Sequence, residues 1–459
     1  MDGKLAVEII FLASCIATIY LILRRPCLYI RLGIRKIRVD TYFIGALLGP
    51  ILIIVFGVLS YSQILSGLMG EGNLNPIGVL VLFISMVFMS IFLDLTGFFE
   101  YCARLAVKSA GVDGRKLFFS IYITVSILTI FTSNDIIILT FTPFIYYFSK
   151  NLGIDPKPYL IAEFFAANTW SMMLYIGNPT NILLASAFDL RFDQYFIWMF
   201  LPSLAAGLAN AILLYLIFRK KINQPIKKIE MIAPSKAITD KLGAFIGLLV
   251  LGSCIVALAI APYFGIQMWI VSLVFAIILL IILILRDSFV ALLKESIQDK
   301  DFSVVPTLKR IPYGIIPFVL ALFITVEALR IYDITTGIGI FFRNLCGNSS
   351  TAYVFTYGVS SALSANLMNN IPMTVAYVPI AAAASSANLQ PAVLASVIGS
   401  NLGANITPIG ALAGIMWMSI LREKEVKISF KEFVKYGLMV TTVTLLICLG
   451  VLALEFRIF

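Results

Sequence analysis

Apolar stretches of about 20 residues, each long enough to cross a hydrocarbon core of roughly 30 Å as one helix, recur through this chain at 5–23, 41–60, 76–98, 195–218, 242–262, 268–285, 311–331 and 434–455. Only 219–241 and 286–312 are extended polar stretches. With 60% hydrophobic residues, 13% charged and a mean hydropathy of +0.99, there are too few polar side chains to cover a water-facing surface. In lipid every backbone N–H and C=O must find its partner within the chain, so each span is expected to be helical. The sequence therefore predicts an all-α, polytopic membrane protein with one membrane domain.

The absence of histidine removes His-based zinc motifs, Ser-His-Asp triads and imidazole acid-base chemistry together. No Gly-rich loop ending in Gly-Lys-Ser/Thr is present to bind a nucleotide, so neither cofactor nor metal is expected, and energy must come from an ion gradient or a separate ATPase. Six scattered cysteines lack paired spacing and read as small buried hydrophobes. The formal charge of +10 lies between apolar spans rather than on one surface, which argues against nucleic acid and for membrane topology.

The segment from Leu117 to Ser149 carries a single charge, Asp135, and as one helix would extend roughly 50 Å. If it enters and leaves on one side, the loops 24–38, 104–116, 150–157, 219–241, 286–310 and 422–435 all face the cytoplasm with 29 of the 34 Lys and Arg. A single crossing would put the seven basic residues of 219–241 outside, against the positive-inside bias. The parity predicts a re-entrant hairpin at 115–150 opening inward, a second at 350–386 opening outward, and an N-terminus outside a cell (plasma or inner) membrane. Two further spans, 158–188 and 390–421, are interrupted midway by Gly, Asn, Thr and Pro and are expected to be broken helices.

A shift of 236 residues superposes Asn134 on Asn370 and Pro143 on Pro379. Each hairpin is followed by a broken span, Gly177-Asn178-Pro179-Thr180-Asn181 in the first and Gly399 to Gly410 in the second. Opposite openings make this an inverted-topology repeat, the plan of many secondary transporters with a midplane site. The division expected is an N-terminal helix and basic loop (1–38), a first repeat (39–218), a cytoplasmic linker (219–241) and a second repeat (242–459).

Half-helices ending inside a membrane leave backbone groups that are tolerated only where they face protein, water or solute. The candidate solute and ion ligands are therefore Ser133, Asn134, Asp135, Gly177, Asn178, Thr180 and Asn181 in the first half. In the second they are Asn369, Asn370, Asn401, Gly403, Asn405 and Thr407. Asp135, an ionisable group at membrane depth, is the expected coupling residue; capping of a half-helix is its structural alternative. Asp94 and Glu163 are expected at cytoplasmic helix ends in structural roles, Glu327 with Arg330 as an ion pair, Asn210 away from the breaks, and most tryptophans as lipid-facing or interfacial anchors.

At Ser133-Asn134-Asp135, Gly177 to Asn181, Asn366 to Pro372, the Gly-Ala-Asn-Ile-Thr-Pro-Ile-Gly core (403–410), Trp417 and Leu421-Arg422, the sequence resembles the ion transporter superfamily of arsenite efflux pumps, sodium-proton antiporters and sodium-coupled dicarboxylate carriers. The likeness is nearest to its ArsB-type arsenical pump family. That resemblance implies efflux of uncharged arsenite or antimonite against protons, with a sodium-coupled di- or tricarboxylate symporter as the alternative. A lipid bilayer and a small solute are the expected partners, with room for a separate cytoplasmic ATPase subunit and for a homodimer.

Overall fold

The computed structural model describes residues 3–25, 27–32, 35–69, 75–224, 226, 233–293 and 303–459. Helix α1 (Gly3–Arg24) is followed by a two-stranded antiparallel ribbon, β1 (Cys27–Leu32) and β2 (Arg35–Asp40). Then come α2 (Tyr42–Val55), α3 (Tyr61–Met69), α4 (Pro76–Leu95), α5 (Phe98–Ala110), α6 (Gly114–Phe131) and α7 (Asn134–Leu152). Next are α8 (Lys157–Trp170), α9 (Pro179–Ala187), α10 (Phe192–Ile222), α11 (Lys241–Ile260), α12 (Met268–Leu293), α13 (Val304–Lys309) and α14 (Ile315–Ile331). The chain ends with α15 (Ile334–Cys346), α16 (Ser350–Met368), α17 (Asn370–Ala382), α18 (Leu389–Gly403), α19 (Leu412–Glu423) and α20 (Phe430–Ile458). Among the described residues seven helices are long and apolar enough to cross a membrane: α1, α4, α6, α10, α11, α12 and α20; α14 and α15, bent by 67°, would make an eighth.

The all-α, polytopic build is as the sequence predicts, with two additions. Residues 27–40, expected to be loop, form the ribbon, the one sheet among the described residues. Four short helices, α3, α5, α13 and α15, lie where no apolar run of spanning length exists. Helix α5 shows why they were missed: its buried residues Phe99, Ala103, Ala106, Val107 and Ala110 recur at helical spacing on one face only, and Glu100, Arg104, Lys108 and Ser109 interrupt any apolar run.

The 236-residue shift reaches well beyond the two Asn-Pro pairs. It carries α5 onto α15 residue for residue, α6 onto α16, and the first residue of α7 onto that of α17. Gly111 and Gly347, one shift apart, close their helices with φ 62° and 58°, a left-handed backbone that favours glycine. Packing pairs recur with the halves exchanged: α2 lies on α14 and α12 on α4, and α7 lies on α19 and α17 on α9.

Both ends of the α6–α7 unit meet the same end of α10. The amide of Ile226 donates to the Val112 carbonyl (3.1 Å), and Lys221 Nζ donates to Asp155 Oδ2 (2.7 Å). The ends of α16–α17 meet directly, through Ser350 Oγ donating to Asn388 Oδ1 (2.7 Å).

The tightest packing is α16 on α18, where Gly399 and Gly403 let the backbones touch. A Cβ at Gly399 would run into the Gly358 carbonyl and the Ser361 hydroxyl, and one at Gly403 into the Ala362 backbone. Overpacking of this kind costs about 1–3 kcal/mol. Gly399→Val is therefore expected to lower the melting temperature in detergent, while Gly252→Val, at a glycine with open space around it, leaves it within about a degree. Equal melting of both variants would deny the close α16–α18 contact.

Candidate functional site

Four helices begin and four end near the centre of the molecule. Helix α6 stops at Phe131 and α7 starts at Asn134; α16 stops at Met368 and α17 starts at Asn370. Between α8 and α9 the chain unwinds through Ser171–Asn178 around a short 3-10 turn, and between α18 and α19 through Ala404–Ala411. Prolines set two of these starts: Pro179 opens α9, where its missing N–H is no loss, and Pro372 falls in the first turn of α17. Asn178 caps α9 by accepting from the Thr180 amide (3.2 Å), and Asn369, at φ 77°, accepts from the Ile371 amide (3.4 Å).

The two unwound segments face each other through side chains. Asn401 is the hub: its Oδ1 accepts from Asn178 Nδ2 (2.9 Å) and Ser171 Oγ (2.9 Å), and its Nδ2 donates to Asn181 Oδ1 (2.7 Å). Beside it Ser400 Oγ donates to Thr180 Oγ1 (3.1 Å). A second chain of amides runs from Asn134 Nδ2 to Asn168 Oδ1 (2.9 Å) and from Asn168 Nδ2 to Asn405 Oδ1 (3.1 Å). Each of these residues is at most 2% exposed. The arrangement joins the first hairpin turn and both breaks across the two halves, and every group in it is a neutral amide or hydroxyl. Among the described residues no Lys or Arg hydrogen-bonds to a member of it.

The other candidates lie elsewhere. Asn369 Nδ2 donates to the Ile409 carbonyl (3.0 Å), the Asn370 amide donates to the Gly410 carbonyl (2.9 Å), and Thr407 Oγ1 donates to Asn366 Oδ1 (2.7 Å). These contacts brace the second hairpin turn against the break of its own half. Gly177 and Gly403 act as backbone: a Cβ on either would strike the main chain of Ser171 or Ala362. The hydroxyl of Ser133 and the Asn370 Oδ1 are buried without a partner.

Asp135 stands apart. Only its amide joins the network, donating to Asn134 Oδ1 (2.9 Å), while the residue itself is half-buried and lines a separate cavity of about 500 Å³ with Asp94, Thr140 and Arg310. Asp94 is held there structurally, accepting from Thr140 Oγ1 (2.8 Å) and from Arg310 (2.8 Å). Glu327 and Arg330 form the expected ion pair.

Two expectations need correction. Glu163 is not interfacial: it is fully buried, its Oε1 accepting from Thr142 Oγ1 (2.9 Å) and its Oε2 from Trp417 Nε1 (3.2 Å), so it ties α8 to α7 and to α19 of the other half. Trp417 is fully buried with it. Asn210 does not lie away from the breaks. It is fully buried on α10, and its Nδ2 donates to Thr169 Oγ1 (2.7 Å), which in turn accepts from Asn405 Nδ2 (3.5 Å). Asn168, Thr169, Ser171 and Ser400 were also missed. Their signal was present as polar residues inside apolar spans within a few positions of a break.

The citrate transporter (CitMHS) family model matches residues 41–399. The chain belongs to that family. It is thus a secondary transporter and an integral membrane protein, and its class of activity is transport. Similar proteins include the arsenical pump membrane protein of Escherichia coli (strain K12), 29% identical over 378 residues that make up 81% of this chain and 85% of that protein. The arsenical pump membrane protein of Yersinia enterocolitica is 28% identical over the same shares. In fold the chain is similar to the crystal structure of the Alcanivorax borkumensis YdaH transporter, with a TM-score of 0.53 and 13% identity over 100% of this chain and 99% of that one.

Asn210→Ala deletes the donor that orients Thr169 toward Asn405, a neutral hydrogen bond of about 1 kcal/mol. The apparent KM of flux is expected to rise roughly fivefold without loss of folded yield. An unchanged KM would detach α10 from the site.

Proposed function

We propose that this CitMHS-family member exports arsenite or antimonite in exchange for protons, using two inverted-topology repeats that meet at the Asn401 network. The observation that carries the reading is the chemistry of that network, in which buried amides and hydroxyls from both halves converge with no cationic side chain among them. An uncharged trihydroxide matches it group for group, since each oxygen both donates and accepts as Asn, Ser and Thr side chains do. A di- or tricarboxylate would bring two or three charges to a buried centre where, among the described residues, the positive features are helix N-termini. The similarity to proteins named arsenical pump membrane protein supports the same choice.

The re-entrant reading of 115–150 and 350–386 is supported by the joined ends of each unit. The division proposed is 39–218 and 242–459 about the linker 219–241, with broken helices at 158–188 and 390–421. We add α1 to the first unit, because the same shift carries it onto α11. The basic loops then face the cytoplasm and the N-terminus the outside of a cell membrane.

In this scheme Asn134, Asn178, Thr180, Asn181, Asn401 and Asn405 bind the solute, with Ser133 adding a free hydroxyl at the first turn. Gly177 and Gly403 allow the close backbone approach, and Asn369, Asn370 and Thr407 hold the second turn in place. Asp135 takes the coupling ion, a proton. A cytoplasmic ATPase subunit and a homodimer are compatible with the scheme and form no part of the mechanism.

Proteoliposomes carrying an imposed proton gradient are expected to move arsenite, and the flux to collapse when the gradient is dissipated. Sodium-driven citrate or succinate uptake without arsenite flux would overturn the substrate assignment. Asp135→Asn is expected to reduce gradient-driven flux by about a hundredfold or more while retaining solute binding. Driven transport at the wild-type rate would remove Asp135 from coupling.

A further inference from the structure

The cavity that receives Asp135 is a slot running along two helices. On α7 it is lined by Asp135, Leu139 and Pro143, spaced at one turn each, and on α19 by a parallel stripe from Leu412 to Lys424, with α4 and the start of α14 forming the far wall. One end is the hairpin turn. The other holds Arg310, Glu423 and Lys424, in loops that positive-inside reasoning puts in the cytoplasm. The α7 face that lines the slot is not the face that meets the solute network: Asn134 and Thr142 point instead toward Asn168 and Glu163 of α8.

The mouth is spanned by a bridge. Arg310, more than half exposed, donates to Asp94 Oδ2, and Thr140 of α7 donates to Asp94 Oδ1. Asp94 thus links the α13–α14 connection to the helix that begins with Asn134 and Asp135. Of the charged groups facing the slot, Lys424 is drawn aside by donating to Tyr147 OH (2.6 Å), and Glu423 is exposed to water. Arg310 is the cation of this mouth that is tied to α4 and, through Asp94 and Thr140, to α7.

The opposite side of the molecule supplies the comparison. A second cavity, of about 480 Å³, is lined by Phe323, Arg330, Val375 and Pro379, the positions one 236-residue shift from Val87, Asp94, Leu139 and Pro143 of the slot. It ends a turn short of the hairpin: Ile371, the counterpart of Asp135, does not line it and is 2% exposed. Of two related openings, one reaches its hairpin turn and the other does not.

We propose that the slot is the cytoplasmic access route of a monovalent coupling cation to Asp135, and that Arg310, positioned by Asp94 and Thr140, is its gate. The assignment rests on the coupling role given to Asp135 above and is independent of which solute is carried. The bridge closes the mouth as an ion pair, with the more exposed Arg310 on its outer side. Breaking it takes a cation off the rim and leaves the Asp94 carboxylate, still held by Thr140, unpaired at the mouth, which favours entry of a cation.

The test is thiol accessibility in full-length protein with its six cysteines replaced, using Leu139→Cys, Met416→Cys and Val375→Cys singly and a membrane-impermeant cationic methanethiosulfonate. Leu139→Cys and Met416→Cys are expected to react about tenfold or more faster from the cytoplasmic face than from outside, and Val375→Cys from outside only. Arg310→Gln is expected to raise the Leu139→Cys rate severalfold. Slowing of that reaction by sodium, absent in Asp135→Asn, assigns sodium to the slot; slowing by acidification beyond that seen in Asp135→Asn assigns protons. Equal reaction from both faces, or no labelling of a variant that elutes as folded protein, overturns the route. A rate unchanged by Arg310→Gln overturns the gate, and labelling indifferent to both cations overturns the ligand. Loss of arsenite flux with side-specific labelling intact would defeat the solute assignment and leave the slot standing.

Discussion

The structure depends on how broken helices are tolerated at membrane depth. Each of the four interruptions leaves amides at one helix start and carbonyls at one helix end, and without water each unpaired group costs several kcal/mol. The chain meets this with asparagine, which offers donor and acceptor from one short side chain. Asn178 and Asn369 cap the helices they precede, Asn181 Nδ2 donates to the Ser171 and Leu174 carbonyls (2.8 and 3.2 Å), and Asn366 Nδ2 donates to the Gly403 carbonyl (2.8 Å). At the first break these residues, Asn178 and Asn181, are also among the solute ligands proposed above.

That dual use explains why the network crosses between the halves. Had each break satisfied its own backbone alone, the two halves would meet at the centre through apolar packing, which lipid-like surfaces do not hold in register. Asn401 instead bonds three residues of the other half, and any movement of one half against the other must re-pair those groups. Glu163 adds to the same constraint at a second level, since both of its oxygens are taken by α7 and by the α19 tryptophan. A small number of well-defined arrangements then costs less than a continuum of half-paired ones.

Much of this was legible in the sequence because spans, breaks and loop charge each leave a strong one-dimensional signature. The break at Gly177 to Asn181 and the turn at Asn369 were visible as Gly, Asn and Pro within apolar runs, and the structure interrupts the helices there. The short helices were not visible, because α5 and α15 bury one face and have no apolar run of spanning length. Nor was the partnering: nothing local shows that Asn210 of α10 reaches Thr169 of α8, or that Glu163 pairs with a tryptophan 254 residues away. Reading the site from the Gly-, Asn-, Thr- and Pro-rich clusters alone also passed over Asn168 and Ser171, whose backbone lies at or beside the end of a regular helix and whose side chains cross to the other half.

Asp135 shows the limit of position as a guide to role. It follows Asn134 directly, yet adjacent residues of a helix diverge by about 100°, so neighbours in sequence serve different compartments. Asn134 turns to the buried amides and Asp135 to the slot with Asp94 and Arg310. A carboxylate placed among the amides would compete for their donors and leave a charge in the driest part of the molecule. On the other face it meets the slot, where the proposed coupling ion would change its charge without disturbing the groups that hold the two halves in register. In the proposed coupling scheme, separating those tasks across one helix would let α7 respond to the ion as a unit and pass that response through Asn134 to the centre.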